Sequence, residues 1–155
     1  MGGLTHDITG VSVTPLRIIA DDRGAVMHML RADDALFVGF GECYFSLVKA
    51  GSIKAWKRHR VMVQNLVVPV GAIRLVIYDD RPNSPTCGVV REIITGVSCG
   101  HYELIQVPAM VWYGFSSLYD QDSLIANCAS LPHDPNEVDR LPSDTFKIPY
   151  VWSQS

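Results

Sequence analysis

The chain has 155 residues, 48% of them hydrophobic and 19% charged, with a formal net charge of -3. That is enough apolar material for one core in a single domain spanning residues 1–155. Beyond Lys57, Arg58, His59 and Arg60 there is no basic run, which argues against a nucleic-acid partner. No stretch approaches the ~20 apolar residues of a membrane span, and the N-terminus shows no basic region leading into an apolar one, so no secretory leader is expected.

Along the chain, short β-type runs alternate with turn residues. Val11 to Ile19 is followed by the turn Asp21-Asp22-Arg23-Gly24, and Ala25 to Leu30 follows it. Asp33 to Gly41 reads as a loop or helical turn. Strands are then expected at Cys43–Val48, Ile53–His59, Asn65–Val70, Ile73–Tyr78, Val89–Thr95, Tyr102–Val107, Val111–Ser117 and Ser123–Ala129. A period of about 8–12 residues per strand and turn indicates an all-β sandwich or barrel. The tail is different. Leu131 to Ser143 is rich in Pro and Asp, and Asp134-Pro135-Asn136-Glu137 can start a short helix. Cys43, Cys87, Cys99 and Cys128 form no C-x-x-C pair and read as buried thiols in a cytoplasmic protein.

The informative segment is Gly51 to Gly71. Gly51, Lys57, His59, Gln64 and Gly71 fall at the spacing G-x5-H-x-H-x4-E-x6-G of the first cupin motif. Lys57 and His59, two apart on a strand, share a face, and a hairpin is expected to return Gln64 to it. Pro108 to Tyr113 resembles the second motif, P-x-G-x-x-H, with Tyr113 in the last place. The implied fold is all-β: a double-stranded β-helix, the cupin-type jelly roll, with a short helical or irregular C-terminal tail. Of the four metal-ligand places only His59 holds a good ligand. An ammonium at Lys57 repels a divalent cation, so no metal and no other cofactor is expected.

The wider pattern resembles the dTDP-4-dehydrorhamnose 3,5-epimerase family over nearly the whole chain. Asp21-x-Arg23-Gly24 matches its D-x-R-G, and Gly51 to Lys57 lines up with G-V-L-R-G-L-H. Gly71 to Arg81 fits G-E-V-F-D-V-A-V-D-L-R, and Ser84 to Gly88 fits S-P-T-F-G. Val107 to Phe115 fits I-P-P-G-F-A-H-G-F, and Ile148 to Trp152 resembles the closing I-x-W-P region. The site departs from the family. Lys57 stands in place of the catalytic His, Tyr113 in place of the His of H-G-F, and Ala126 where a later acidic Tyr belongs. An Asp supporting the catalytic His falls near Asp144. Lys54 to Arg60 with Gln64, and Val107 to Trp112, also resemble the sugar 3,4-ketoisomerases.

The resemblance implies an isomerase of a nucleotide-linked 4-keto-6-deoxy sugar, a 3- or 3,5-epimerase working through an enolate. The alternatives are a 3,4-ketoisomerase and a non-catalytic jelly roll that binds a sugar nucleotide. His59 is the natural base near neutrality. Lys57 serves only if burial or neighbouring cations lower its pKa, and otherwise it stays charged beside an enolate oxygen. Tyr113 is expected as proton or oxyanion donor on the opposite wall. Arg23 and Lys54 are expected on the diphosphate, with Gln64 and Trp112 also contacting substrate. Lys54 and Lys57 differ by three positions and share the pocket only if a bulge intervenes. A homodimer is implied, with an N-terminal segment reaching into the neighbouring pocket.

Overall fold

A computed structural model of the chain describes residues 7–153. The first six residues, on which the reading of the N-terminal leader partly rests, lie outside the described residues. Twelve strands are described: β1 (Ser12–Pro15), β2 (Ile18–Asp21), β3 (Gly24–Met27), β4 (Glu42–Val48), β5 (Ile53–His59), β6 (Gln64–Val70), β7 (Ile73–Tyr78), β8 (Val90–Thr95), β9 (Glu103–Val107), β10 (Trp112–Ser117), β11 (Ser123–Ala129) and β12 (Val138–Arg140). One five-stranded sheet has the order β1-β9-β6-β11-β4, the other β12-β5-β10-β7-β8, and β2-β3 is a separate hairpin. All pairings are antiparallel. This is the expected jelly roll.

The main core lies between the sheets and includes Val48, Leu66, Val68, Leu75, Ile77, Ile105 and Ile125. Each such side chain contributes about 1.5–3 kcal/mol on burial. Both outer faces are partly covered as well. Leu16, Met27, Met29 and Leu30 pack on Val67, Tyr102 and Leu104 of the first sheet, while Ile148, Tyr150 and Trp152 pack on Trp56, Val76 and Trp112 of the second. Burial on two sides is why β6 and β7 read as nearly continuous apolar runs rather than alternating ones.

Three boundaries differ from the sequence reading. Val11–Ile19 is broken, because Pro15 ends β1 and the chain leaves the sheet to form the β2–β3 hairpin. The expected helical turn is a 3-10 turn, Pro135–Glu137, whose cap Asp134 accepts from the Asn136 N–H at 2.9 Å. It runs directly into β12, a strand the composition of the tail concealed. Finally, β5 and β6 are not a hairpin, since β5 pairs with β10 and β12 while β6 belongs to the facing sheet. The connection crosses between layers, so Gln64 approaches the interior from the opposite wall to His59. The four thiols are free, as expected, but less buried than expected: Cys43 and Cys87 are exposed, and Cys99 and Cys128 are half-buried.

Two glycines shape the site's frame. Gly71 turns the chain from β6 to β7 at φ +79°, and a Cβ there would lie 2.4 Å from Ser123 Oγ. Gly114 allows β10 to approach β5, where a Cβ would meet that of Ala55 at 2.5 Å.

Candidate active site

The cross-strand register places the site. In the second sheet Lys57 pairs with Tyr113 on one side and with Arg140 on the other, giving a row of three inward side chains across β12, β5 and β10. His59 lies one inward position further along β5, opposite Val138. A cavity of about 430 Å³ opens between the sheets here. Lys54, Lys57, Tyr113, Phe115 and Arg140 line it from one wall, and Tyr44, Ser46, Leu66, Ile125 and Asn127 from the other. A smaller space of about 320 Å³ adjoins it, reached by Tyr44, Lys57, His59 and Arg140.

Lys54 and Lys57 both line the cavity because the register slips between Tyr113 and Phe115. Tyr113 faces Lys57 while Phe115 faces Lys54, so β5 carries one residue more than β10 across this interval. This is the bulge that their spacing required. Lys54 Nζ donates to Ser46 Oγ at 3.0 Å.

Lys57 is half-buried and has no ion-pair partner among the described residues. Burial lowers its pKa from the ordinary lysine value, and the cations Arg140 and Lys54 lower it further. Asp79, a conceivable partner, is committed elsewhere. Burial pushes its carboxyl up, but bonds from Arg81, Ser84 and Thr86 prevail and hold it well below the usual range.

Behind this row lies a buried relay. His59 Nδ1 meets the Glu137 carboxylate, and His59 Nε2 lies 3.2 Å from Tyr113 Oη. Glu137 also accepts from the backbone N–H groups of Val61 at 3.1 Å and Met62 at 3.2 Å. Burial raises the Glu137 pKa, but the His59 bond and these N–H donors outweigh it and hold the group ionised. The Nδ1 of His59 therefore carries a hydrogen. Burial raises the Tyr113 pKa strongly, so its phenol keeps its proton.

Several expectations about the site are corrected here. Tyr113 is on the same wall as Lys57, not the opposite one, because the two are direct cross-strand partners. Trp112 points to the outer face, as alternation next to Tyr113 demands. Its indole N–H donates to Asp80 Oδ2 at 2.9 Å, and the Arg58 guanidinium lies 4.6 Å from its ring centroid. Gln64 is buried but not at the cavity surface, and its Oε1 accepts from Asn127 Nδ2. Arg23 is on the exposed β2–β3 turn, paired with Asp21 at 2.7 Å, and does not line the cavity of its own chain. Asp144 does not line the cavity that holds Lys57 but lies in a separate surface hollow with Phe146 and Trp152, and the carboxylate that meets His59 is Glu137. Glu137, Tyr44, Asn127 and Arg140 were absent from the sequence-derived set.

A metal does not fit this donor set. His59 has both ring nitrogens engaged, and the groups beside it are an ammonium and a protonated phenol. Among the described residues no three His, Cys, Asp or Glu side chains converge, and no helix is long and apolar enough to cross a membrane.

No protein-family model matches the chain. It is 33% identical over 151 residues to the probable low-salt glycan biosynthesis epimerase Agl13 of Haloferax volcanii, covering 95% of this chain and 96% of that protein. It is 43% identical to the solved dTDP sugar isomerase of Desulfovibrio desulfuricans G20, with a TM-score of 0.91 over 94% of this chain and 92% of the other. The dTDP-4-dehydrorhamnose 3,5-epimerase of Bacillus anthracis, solved with TDP and PPi, shares the fold at a TM-score of 0.84 and 19% identity, covering 98% of this chain and 90% of that one.

Proposed function

Because the chain belongs to the family of dTDP-4-dehydrorhamnose 3,5-epimerases and related dTDP-sugar isomerases, it is an isomerase of nucleotide-linked sugars, and we propose that it epimerises a dTDP-4-keto-6-deoxy sugar at C3, or at C3 and C5. The observation that carries this reading is Lys57: an amine without an ion-pair partner, its proton loosened by burial and by Arg140 and Lys54, beside a phenol backed by a buried His–Glu pair.

A 4-keto group acidifies the neighbouring C–H. The Lys57 lone pair takes that proton, the C–H electrons form the C=C bond, and the carbonyl π electrons move to O4. Tyr113, whose Oη lies 3.2 Å from His59 Nε2, supplies the hydrogen bond to the developing oxyanion. Glu137 fixes the His59 ring from its Nδ1 side. Lys57 and Tyr113 are the catalytic residues of this scheme, and His59 and Glu137 act through Tyr113. Lys54 and Arg140 supply positive charge at the cavity for the diphosphate.

The protein is read as one domain over residues 1–155 acting as a homodimer. The edge strand β4 exposes Phe45 and Leu47, and the hairpin exposes Ile18, Ile19 and Val26. An unpaired apolar edge favours pairing with a second copy, which gives Arg23 a place at the partner's cavity. Four free thiols suit a cytoplasmic location.

Replacing Lys57 by Ala tests the assignment. Turnover of dTDP-4-keto-6-deoxyglucose should fall by about 10²–10⁴-fold, while dTDP binding measured by calorimetry is retained. Unchanged turnover would remove Lys57 from the mechanism.

A further inference from the structure

Inversion at a carbon needs proton removal on one face and delivery on the other. Arg140, Lys57 and Tyr113 stand in one row on one sheet, with Lys54 further along the same wall, so all approach the sugar from the same side. The second proton must come from the facing wall. Among the described residues, that wall presents Tyr44, Ser46, Leu66, Ile125 and Asn127 to the cavity. Leu66 and Ile125 have no exchangeable proton. The Ser46 hydroxyl is a very weak acid and accepts from Lys54. Asn127 is an amide.

We propose that Tyr44 is the catalytic residue that protonates the enolate on the face opposite Lys57, converting exchange into inversion. This rests on the enolate reading above and deepens it.

The hydrogen bonds around Tyr44 fix which way its proton points. The Asn65 backbone N–H can only donate, and it donates to Asn127 Oδ1 at 3.1 Å. That sets the Asn127 amide, so its Nδ2 donates to Tyr44 Oη at 2.8 Å and to Gln64 Oε1. Tyr44 Oη is therefore an acceptor within the protein, and its own O–H is left for the cavity. The same Asn127 bond eases formation of the phenolate. Burial raises the Tyr44 pKa more than this bond lowers it, so the resting group is the acid form.

The step balances. The Tyr44 O–H bond breaks, its proton bonds to the carbon, and the enolate electrons restore the carbonyl, leaving a phenolate opposite an ammonium at Lys57. Tyr44 is half-buried at the edge strand β4, so solvent can return its proton while Lys57 releases its own. Gln64 and Asn127 become positioning residues, which accounts for a polar chain buried beneath the site.

The test is Tyr44→Phe in the full chain, incubated with dTDP-4-keto-6-deoxyglucose in D2O and followed by proton NMR. Wild type should incorporate deuterium with inversion. The variant should incorporate deuterium at a rate within about tenfold, because Lys57 returns a deuteron to the face it came from, while inversion falls by about 10²-fold or more. Inversion at the wild-type rate would overturn the proposal. So would loss of both exchange and inversion in a variant that melts normally and binds dTDP. If wild type itself fails to exchange, the enolate reading falls first and takes this assignment with it.

Discussion

Arg140 sits directly across from Lys57 on neighbouring antiparallel strands, a cation facing a cation, and neither has an ion-pair partner among the described residues. The pair would be a poor choice for stability alone, because like charges placed opposite on a sheet repel. It suits a lysine that must give up its proton.

A pH profile should reveal the arrangement. In the proposed mechanism the active form of Lys57 is the neutral amine, so the rising limb of kcat/KM should follow its pKa. Arg140→Gln removes one of the three causes that lower that pKa and leaves burial in place. The limb should move to higher pH while keeping its shape, as measured in a mixed buffer of constant ionic strength. A shift to lower pH would show that Arg140 does not act on Lys57.

Stability carries the same signature. The folded chain holds the Lys57 proton less tightly than the unfolded chain, so the unfolded state binds more protons between the two pKa values. Stability should rise with pH across that window. Lys57→Met should remove this rise and raise the Tm at pH 7, by about 2–4 °C for each kcal/mol relieved. Calorimetric melts from pH 6 to 10 check both.

Glu137→Gln keeps the shape and an acceptor for the Val61 and Met62 N–H groups but removes the charge facing His59. Turnover should fall by about 10²-fold through Tyr113. The folded Glu137 pKa lies below its ordinary value, so its contribution to stability is present above that value and lost as pH falls through the folded one. The variant's stability should therefore be flatter in acid, in urea titrations between pH 3 and 6.

Trp112 offers the opposite control. It packs under the C-terminal segment and bonds Asp80, away from the cavity. Trp112→Phe should cost about 1 kcal/mol from the lost bond to Asp80, which keeps its Arg58 pair, and from weaker stacking under Arg58, with KM unchanged. A raised KM at full stability would return Trp112 to the substrate.

If Arg23 serves the partner's cavity, defects in Arg23 and Lys57 should complement. Arg23→Ala and Lys57→Ala chains, unfolded together and refolded at equal amounts, should recover about a quarter of wild-type activity, because half the dimers carry one intact site. No recovery would place Arg23 in its own chain's function or in none.

Much of this was legible in the sequence, and the failures have physical reasons. The limits of β5, β7 and β11 and the inward phase of Lys57 and His59 follow from alternation, which is local. Trp112 was expected at the substrate together with its neighbour Tyr113, which alternation along one strand forbids. Glu137 reaches His59 across 78 residues, through a three-residue strand in a segment whose Pro and Asp content reads as loop. Tyr44 looked like one more strand aromatic until pairing with Asn127 fixed its place. Sheet partners are long-range facts, and the crossing from β5 to β6 is invisible in a motif written as linear spacing.

The most direct measurement is proton NMR of dTDP-4-keto-6-deoxyglucose incubated with the wild-type protein in D2O. The account predicts deuterium at C3, or at C3 and C5, with inversion at each labelled centre and the carbonyl still at C4. Bound but unlabelled substrate would contradict it, and a 3-keto product would replace epimerisation with transfer of the carbonyl.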